Sequence, residues 1–178
     1  MVIFKNKQIY NKARLIKNHG MDDQKRYFHS YLGSNFRMTN IQAAIGLAQL
    51  EKFKTIINKK KRLVNLYIKA LKNFKPVTFV KSEKNIINSY WLFNILLKKN
   101  TKIKRDRILN LLRKDGIDVR RGFFAANEQP IFKKYFNKKD KFPNSLYLSK
   151  NLISLPSFPH LPKKTVETIT KRLKEIIS

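Results

Sequence analysis

Apolar residues recur at helical spacing through residues 40–72 of the chain. They are Ile41, Ile45, Ala48, Phe53, Ile56, Ile57, Val64, Tyr67, Ile68 and Leu71. Thr39 stands just before this stretch and Gln42 follows three residues later, which is the spacing of a capping box. The pattern predicts one helix over residues 40–72. At 1.5 Å per residue this helix is on the order of 50 Å long, so we expect another body of protein to cover part of it.

Shorter periodic segments lie on both sides of this helix. Upstream, residues 8–18 have the spacing of a short helix that ends at Gly20. Downstream, segments rich in β-branched and aromatic residues alternate with helical patterns. They predict strands over 77–80, 86–97 and 117–121, helices over 105–114, 131–136 and 144–151, a proline-punctuated segment over 155–162 and a final amphipathic helix. The order predicts a long helix followed by an α+β module.

The composition favours a globular protein and argues against several kinds of site. Apolar residues make up 42% of the 178 residues, which is enough for a hydrophobic core. There is no apolar run of about eighteen residues and no apolar signal segment behind Met1, so we expect a cytoplasmic protein without a membrane association. The chain has no cysteine, and its three histidines lack metal-ligand spacing, which argues against disulfides, structural zinc and any other metal site.

The charge is strongly positive, because 40 Lys and Arg face 11 Asp and Glu for a formal net charge of +29. Such a charge attracts phosphate-bearing partners. The lysines are nevertheless spread along the chain among many Asn and Ile, and no zinc-finger spacing, aromatic RNA-binding motif, GXXG loop or clear helix-turn-helix accompanies them. We therefore do not expect nucleic acid as the partner, and a basic polyanion-binding protein stays open as the alternative.

The polar loop of residues 31–40 is the most unusual segment, because it leads into the start of the long helix. Free N–H groups at a helix N-terminus favour anions, and the side chains of Asn35 and Arg37 can add hydrogen-bond donors. The loop therefore suits a phosphate group. An ordinary capped helix with a surface arginine is the simpler reading of the same residues, and spacing alone does not decide between the two.

Residues 33–51 read GSNFRMTNIQAAIGLAQLE and resemble the motif GYNYRMTNIQAAIGLAQLE of the DegT/StrS sugar aminotransferases. The flanks also resemble this family. Residues 12–21, KARLIKNHGM, are similar to its KARxLRNHGM, and residues 89–93, SYWLF, to its SYWMF strand. Residues 121–130, RGFFAANEQP, are similar to its RPFYPLHxQP, and residues 155–159 to its LPS segment. The resemblance covers essentially the whole chain and leans toward members that resemble perosamine synthases.

The resemblance implies the α+β C-terminal part of a fold type I, pyridoxal phosphate (PLP)-dependent aminotransferase, whose large domain is α/β. Residues 1–38 would then form the end of the large cofactor domain and its active-site loop. Residues 39–75 would form the long connecting helix, and residues 76–178 the small C-terminal α+β domain. Family members assemble as dimers with active sites at the subunit interface, and this dimer would provide a cover for the overlong helix.

The resemblance also assigns candidate site residues. Asn35 occupies the position of the family's asparagine that reaches the PLP phosphate of the neighbouring subunit. Arg37, on the cofactor side, and Met38, on the substrate side, belong to the same loop, where they would line the site or organise the loop. Phe124 and Asn127 fall where the family has residues near the sugar, with loop packing as the alternative reading of each. The family's PLH is AAN here, and its RP is Arg121-Gly122, so the usual histidine is absent and the choice of sugar is in doubt.

The start of the chain aligns with family sequence that follows the catalytic lysine, so we expect that lysine to lie before Met1 and no catalytic residue within the chain. The implied function is the C-terminal portion of an enzyme that transfers an amino group from glutamate to a 4-keto-6-deoxy nucleotide sugar in surface-polysaccharide synthesis. Alone, the chain is expected to be inactive. The implied partners are a second copy of the chain or a complementing N-terminal half, and the alternative is a non-catalytic, basic remnant.

Overall fold

The computed structural model describes residues 2–79, 85–137 and 139–178. These residues form two compact units, which divide between Lys52 and Phe53. We call them the N-terminal unit and the C-terminal unit. The segments 1–38, 39–75 and 76–178 proposed from the resemblance remain predictions. Among the described residues no helix combines the length and the apolar character that a bilayer span requires.

The N-terminal unit contains two helices, α1 (Lys7–Lys17) and α2 (Asn40–Glu51), joined by a long loop. The side chain of Asn6 caps α1 by accepting hydrogen bonds from the backbone N–H groups of residues 8 and 9. Thr39 and Gln42 form the predicted capping box at the start of α2. Neither helix has a buried residue. Gly20 is the sole buried position among residues 2–52.

The helix predicted over residues 40–72 is two helices, so that prediction is wrong in its continuity. Helix α2 ends at Glu51, and α3 runs over Phe53–Leu71. Between them the backbone of Lys52 adopts φ −91° and ψ 1°, a conformation of turns rather than of helix interiors. The apolar pattern changes at the same point: the apolar residues of α2 are spread around the helix, whereas α3 buries one stripe, Leu63, Val64, Tyr67 and Leu71.

The C-terminal unit is built on a four-stranded antiparallel sheet. Its strands are β1 (Val77–Phe79), β2 (Phe93–Leu97), β3 (Arg120–Arg121) and β4 (Leu152–Leu155), in the order β1-β2-β4-β3. The register pairs Val77 with Leu97, Ile95 with Ile153 and Arg120 with Ser154. Strands β2 and β4 are thus the central pair, and the two-residue β3 forms one edge.

Helices α3, α4 (Arg105–Lys114) and α6 (Lys163–Ile177) supply the remainder of the core, with α6 packed against both α3 and α4. Helix α5 (Pro143–Asn151) contacts β2. Short 3-10 turns occur at Ala126–Glu128 and Pro130–Tyr135. One continuous cluster of buried apolar side chains joins the sheet to α3, α4 and α6, including Tyr67, Ile95, Leu112, Ile153 and Leu173. The unit has the predicted α+β architecture, with α3 as part of its core.

Two predicted strands are shorter in the structure, and the central strand β4 was not predicted. Within 86–97 the strand begins only at Phe93, because Asn88 accepts a hydrogen bond from the backbone N–H of Tyr90 at 2.7 Å and Tyr90 has φ +49°. Within 117–121 only Arg120–Arg121 pair with a neighbouring strand. The Val119 carbonyl instead accepts hydrogen bonds from the guanidinium of Arg113 at 3.0 and 3.2 Å. Residue 80 of the first predicted strand lies outside the described residues.

Candidate functional site

The loop of residues 31–37 is fastened to the end of α1 by backbone hydrogen bonds. The N–H of Ser34 donates to the Ile16 carbonyl at 3.0 Å, and the N–H of Phe36 donates to the Lys17 carbonyl at 2.9 Å. In the opposite direction, the N–H of His19 donates to the Ser34 carbonyl at 3.1 Å. Asn18 and Asn35 consequently face each other in an antiparallel bridge. This pairing fixes the backbone on which the predicted cofactor residues stand.

Two glycines allow the close approach of loop and helix end. Gly20 has φ +67°, and a Cβ atom there would lie 1.8 Å from the carbonyl oxygen of Tyr31. A Cβ atom on Gly33 would lie 2.3 Å from the backbone nitrogen of Gly20. Because both distances are far below van der Waals contact, any larger residue at either position would force the loop away from α1.

Asn35 makes an Asx turn within this loop. Its side-chain Oδ1 accepts a hydrogen bond from the backbone N–H of Arg37 at 3.1 Å. This bond fixes the orientation of the amide, whose Nδ2 group has no hydrogen-bond partner among the described residues. The side chain of Asn35 is exposed. It therefore presents a donor that is held in place by its own oxygen.

Arg37 stands beside this donor, at the entrance of α2. Its Nη1 lies 3.4 Å from Oδ1 of Asn18, a long contact that leaves the remaining guanidinium N–H groups available. The first turn of α2 adds backbone N–H groups and the positive end of the helix dipole. An amide N–H, a guanidinium and a helix N-terminus are each groups that bind phosphate. The residues present thus fit a phosphorylated cofactor.

Met38 is 69% exposed and lines an apolar hollow of about 560 Å³ within the N-terminal unit. Its walls include Phe4, Tyr10, Ala13 and Phe36. The structure therefore brings Asn35, Arg37 and Met38 together on one loop. Phe124 and Asn127 belong to the C-terminal unit.

Phe124 lies just beyond β3 and is 51% exposed. The guanidinium carbon of Arg121 lies 3.7 Å from the centre of this ring, which is a close cation–π contact. Three arginines, Arg113, Arg120 and Arg121, line a hollow of about 500 Å³ together with Phe123 and Phe124. Phe124 thus forms part of an open, cationic and aromatic surface.

Asn127 is half-buried in the 3-10 turn Ala126–Glu128 and does not line that hollow. The turn is anchored by Glu128, whose Oε2 accepts from Oγ of Ser149 at 2.7 Å and from the N–H of Ala125 at 3.2 Å. These hydrogen bonds, first that of Ser149, lower the pKa of Glu128. The carboxylate of Glu128 therefore positions the segment that carries Asn127.

The sequence interpretation missed a cleft of about 420 Å³ beside β3 and β4, which we call the Trp91 cleft. It is lined by Lys60, Trp91, Arg120, Ser157 and Phe158, among others. The Lys60 ammonium donates to the backbone carbonyl of Trp91 at 3.0 Å and to that of Ser157, and partial burial lowers its pKa. Trp91 was assigned to a strand, in which residues two apart share a face. Its spacing from Phe93 therefore predicts a side chain that points into the core, and the alternation gave no sign that Trp91 lines a cleft.

Comparison with known proteins gives the relationship of the chain. A model of the DegT/DnrJ/EryC1/StrS aminotransferase family matches residues 1–174. The chain is 34% identical to the GDP-perosamine synthase of Vibrio cholerae, over 98% of the chain and 47% of the relative. It is 33% identical to that of Escherichia coli O157:H7, over 100% of the chain and 47% of the relative. The chain therefore spans about half the length of the curated relatives it matches.

A solved structure confirms the predicted fold. The structure of the putative sugar aminotransferase Spr1654 from Streptococcus pneumoniae, in its PLP form, superposes on this chain with a TM-score of 0.84 at 19% identity. The match covers 97% of the chain and 44% of that protein. The α+β architecture with a small antiparallel sheet is thus that of roughly half of such a protein.

Proposed function

Because the chain belongs to the DegT/DnrJ/EryC1/StrS aminotransferase family, we propose that it forms the C-terminal half of a PLP-dependent nucleotide-sugar aminotransferase. The complete protein would transfer an amino group from glutamate to a 4-keto-6-deoxy sugar on a nucleoside diphosphate. The identity of 34% to a GDP-perosamine synthase supports this substrate class. The rest of the fold would come from the same polypeptide or from a separate one.

The orientation of Asn35 is the observation that carries the proposal. Its oxygen is occupied by the Arg37 N–H at 3.1 Å, so the amide nitrogen is the group that remains for a ligand. We propose that this nitrogen donates to the phosphate of PLP held in a neighbouring subunit or complementing half. Arg37 and the first turn of α2 would add positive charge beside the same phosphate. When bound, PLP supplies the electron sink that amino transfer requires.

Met38, Phe124 and Asn127 are proposed to contact the sugar substrate. Tyr10 and Phe36, which line the apolar hollow beside Met38, have exposed rings, and so does Phe124. These rings offer surfaces on which a sugar ring can pack. Asn127 offers an amide that can donate to and accept from hydroxyl groups. It is held in position by the bonds of Glu128 to Ser149 and Ala125.

The test is a chimera in which this chain replaces the corresponding half of the Vibrio cholerae GDP-perosamine synthase. We expect the purified chimera to bind PLP, seen as visible absorbance, and to form an amino sugar from glutamate and a GDP-linked 4-keto-6-deoxy sugar. Asn35→Asp keeps the oxygen that accepts from the Arg37 N–H but replaces the donor by a carboxylate. It should weaken PLP binding roughly tenfold or more, since charged hydrogen bonds contribute about 1.5–3 kcal/mol.

Asn58→Asp serves as the matched control, because it makes the same chemical change at an exposed position of α3 in the C-terminal unit. It should leave PLP affinity unchanged. A folded chimera that neither binds PLP nor transfers the amino group would overturn the proposal. Equal PLP affinity in both variants would remove the role of Asn35 and leave the reaction class standing.

Polyanion binding is the second candidate function, and the ion-pair pattern favours it. The net charge is +29. Within the described residues the cations that form ion pairs are Arg14, Arg105, Arg120, Lys163 and Arg172, so most of the positive charge has no carboxylate partner. Gel-shift titration with RNA at about 0.15 M salt separates the two candidates, because nonspecific binding weakens steeply with salt. Retention of RNA at that salt would favour the polyanion role, and its loss would favour the enzyme.

A further inference from the structure

The loop of residues 122–128 carries two residues that are proposed to contact the sugar, Phe124 and Asn127. Hydrogen bonds hold this loop at both ends to the segment that joins α5 to β4. At the first end, the N–H of Gly122 donates to the carbonyl of Leu152 at 2.9 Å. A Cβ atom on Gly122 would lie 2.8 Å from Cβ of Leu152, so glycine permits this close approach.

The carboxylate of Glu128 holds the other end of the loop. Its Oε2 accepts from Oγ of Ser149 at 2.7 Å and from the N–H of Ala125 at 3.2 Å. One oxygen therefore joins the backbone of the loop to the last turn of α5. We call these two hydrogen bonds the Glu128 clip.

The clip is attached to a buried support. Ser149 is 3% exposed, and its carbonyl accepts a hydrogen bond from the guanidinium of Arg105, which is 6% exposed. The Nε of Arg105 also donates to the carboxylate of Asp106 at 2.8 Å, so the buried charge is compensated. Because Ser149 is held from the core side, its hydroxyl offers Glu128 a partner in a fixed position.

A departure from the family motif explains why this loop needs a clip. The motif RPFYPLHxQP, which residues 121–130 resemble, has proline at two positions where this chain has Gly122 and Ala125. Proline fixes φ near −65° and has no N–H group. Ala125 has φ −64°, and its N–H donates to Glu128. The chain thus reaches the backbone angle of a proline through a hydrogen bond that a proline could not make.

We propose that Glu128 is a positioning residue, which holds Phe124 and Asn127 in the geometry that binds the sugar by means of a clip that replaces the prolines of the motif. The inference rests on the proposed function, because it concerns the loop that would meet the sugar substrate. A loop that adopts its binding geometry only part of the time lowers the apparent affinity by that fraction. Loss of the clip should therefore raise KM for the sugar and spare kcat and PLP affinity.

The clip itself is tested in the 178-residue chain by hydrogen exchange measured with NMR. The amide of residue 128, which donates to the Ala125 carbonyl at 2.9 Å, reports on the turn. Glu128→Ala should speed its exchange about tenfold or more, the usual effect of losing a hydrogen bond to a charged group. Glu167→Ala makes the same change at an exposed position of α6 and should leave that amide unchanged. Unchanged exchange in Glu128→Ala would overturn the proposal.

The role in sugar binding is measured in the folded Vibrio cholerae chimera. Glu128→Ala should raise KM for the GDP-linked keto sugar about tenfold, with kcat and PLP affinity within about twofold of the parent. Adding Ser149→Ala to this variant should raise KM no further, because both residues act through one hydrogen bond. An unchanged KM, or equal losses in KM and PLP affinity, would contradict a positioning role for Glu128.

A proline at position 125 gives the sharpest test. Ala125→Pro, added to Glu128→Ala, restores the restraint on φ without the clip, and the shorter side chain at position 128 leaves room for the ring. We expect this double variant to recover most of the lost KM. A double variant that keeps the raised KM would show that the carboxylate does not act by holding the backbone, and the proposal would fail.

The outcomes also distinguish this inference from the proposed function. If the chimera transfers an amino group and Glu128→Ala leaves KM unchanged, the enzyme assignment stands and the positioning role falls. If Glu128→Ala speeds exchange while the folded parent chimera is inactive, the clip stands as a structural element. The proposed function then falls, and the role of the clip in sugar binding falls with it.

Discussion

The two compact units differ in how they bury their apolar residues. The C-terminal unit encloses one continuous core, in which Ile95, Leu112, Ile153 and Leu173 have no exposed surface. In the N-terminal unit, the described residues bury only Gly20, and α2 leaves its apolar side chains, such as Ile41 and Leu50, 74% and 68% exposed. The N-terminal unit is held by backbone pairing and helix caps, and the C-terminal unit by burial of apolar side chains. Only the C-terminal unit therefore has the main stabilising contribution to folding, the hydrophobic effect, within itself.

The largest expected effect comes from equal truncations in the two units. Leu173→Ala removes a fully buried side chain of α6 and should lower the free energy of unfolding by about 2–5 kcal/mol. Leu50→Ala makes the same change in α2, where the side chain is 68% exposed, and should cost within about 0.5 kcal/mol. Urea unfolding of the full chain measures both. Similar costs would mean that α2 is packed in solution and would break the comparison.

Tyr67→Phe tests one polar contact of the core. The hydroxyl of Tyr67 donates to the Pro156 carbonyl at 2.9 Å, while its ring stacks on Phe93 with centroids 4.9 Å apart. Phenylalanine keeps the stacking and loses the hydrogen bond, so the free energy of unfolding should fall by about 1 kcal/mol. A loss above about 3 kcal/mol in urea unfolding would show that the ring itself has moved.

Burial also raises the pKa of Tyr67 above its ordinary value of 10.0. The native state therefore keeps this proton when the unfolded state has released it, so stability should be complete below about pH 10 and decline above it. Tyr67→Phe lacks this titration. The difference in unfolding free energy between wild type and Tyr67→Phe should shrink as the pH rises above about 10, and a constant difference would contradict the assignment.

Two glycines with positive φ allow a matched substitution in each unit. Gly116 has φ +76° and open space around its Cβ position, so Gly116→Ala should cost the C-terminal unit about 1 kcal/mol of backbone strain. Gly20→Ala adds a clash with Tyr31 and should detach the loop from α1. We expect Gly20→Ala to speed hydrogen exchange in residues 18–37 without shifting the urea midpoint. A shifted midpoint would show that the two units unfold together.

The smallest effect is a pH dependence. Hydrogen bonds from Ser149 and Ala125 lower the pKa of Glu128, so its contribution to stability is present above the unfolded value near 4.5 and is lost as the pH falls. Glu128→Gln should flatten this part of the acid unfolding curve. The pKa of Asp22 is also lowered, by the backbone N–H groups of Gln24 and Lys25. Asp22→Asn should leave the same curve unchanged, because it lies in the N-terminal unit.

Local signals predicted the bounds of α4, but they could not predict pairing between distant segments. Helix α4 has the predicted bounds, Arg105–Lys114, because its periodicity and the following Gly116 are local. Strand β4 was missed because four residues, Leu152–Leu155, have no distinctive pattern until residues 93–96 of β2 pair with them. The break at Lys52 also left no marker, since neither glycine nor proline occurs there.

The candidate site shows the same limit. The resemblance located Asn35, Arg37, Met38, Phe124 and Asn127, and their roles remain predictions. The Asx turn of Asn35 is a local feature that its residue type favours. By contrast, the Trp91 cleft assembles residues from α3, the segment before β2, β3 and the segment after β4. Such a site can be found only after the sheet order is known.

The position of β4 in the sheet has a consequence for biosynthesis. A chain is made from its N-terminus, and β4 is the strand that joins β2 to β3. Residues Ile95 and Ile153, which pair across this junction, are separated by 58 positions (153 − 95). The sheet therefore cannot close until Leu152–Leu155 have left the ribosome. Pairing across so long a separation slows folding, and strands that stay unpaired for longer expose edges at which chains aggregate.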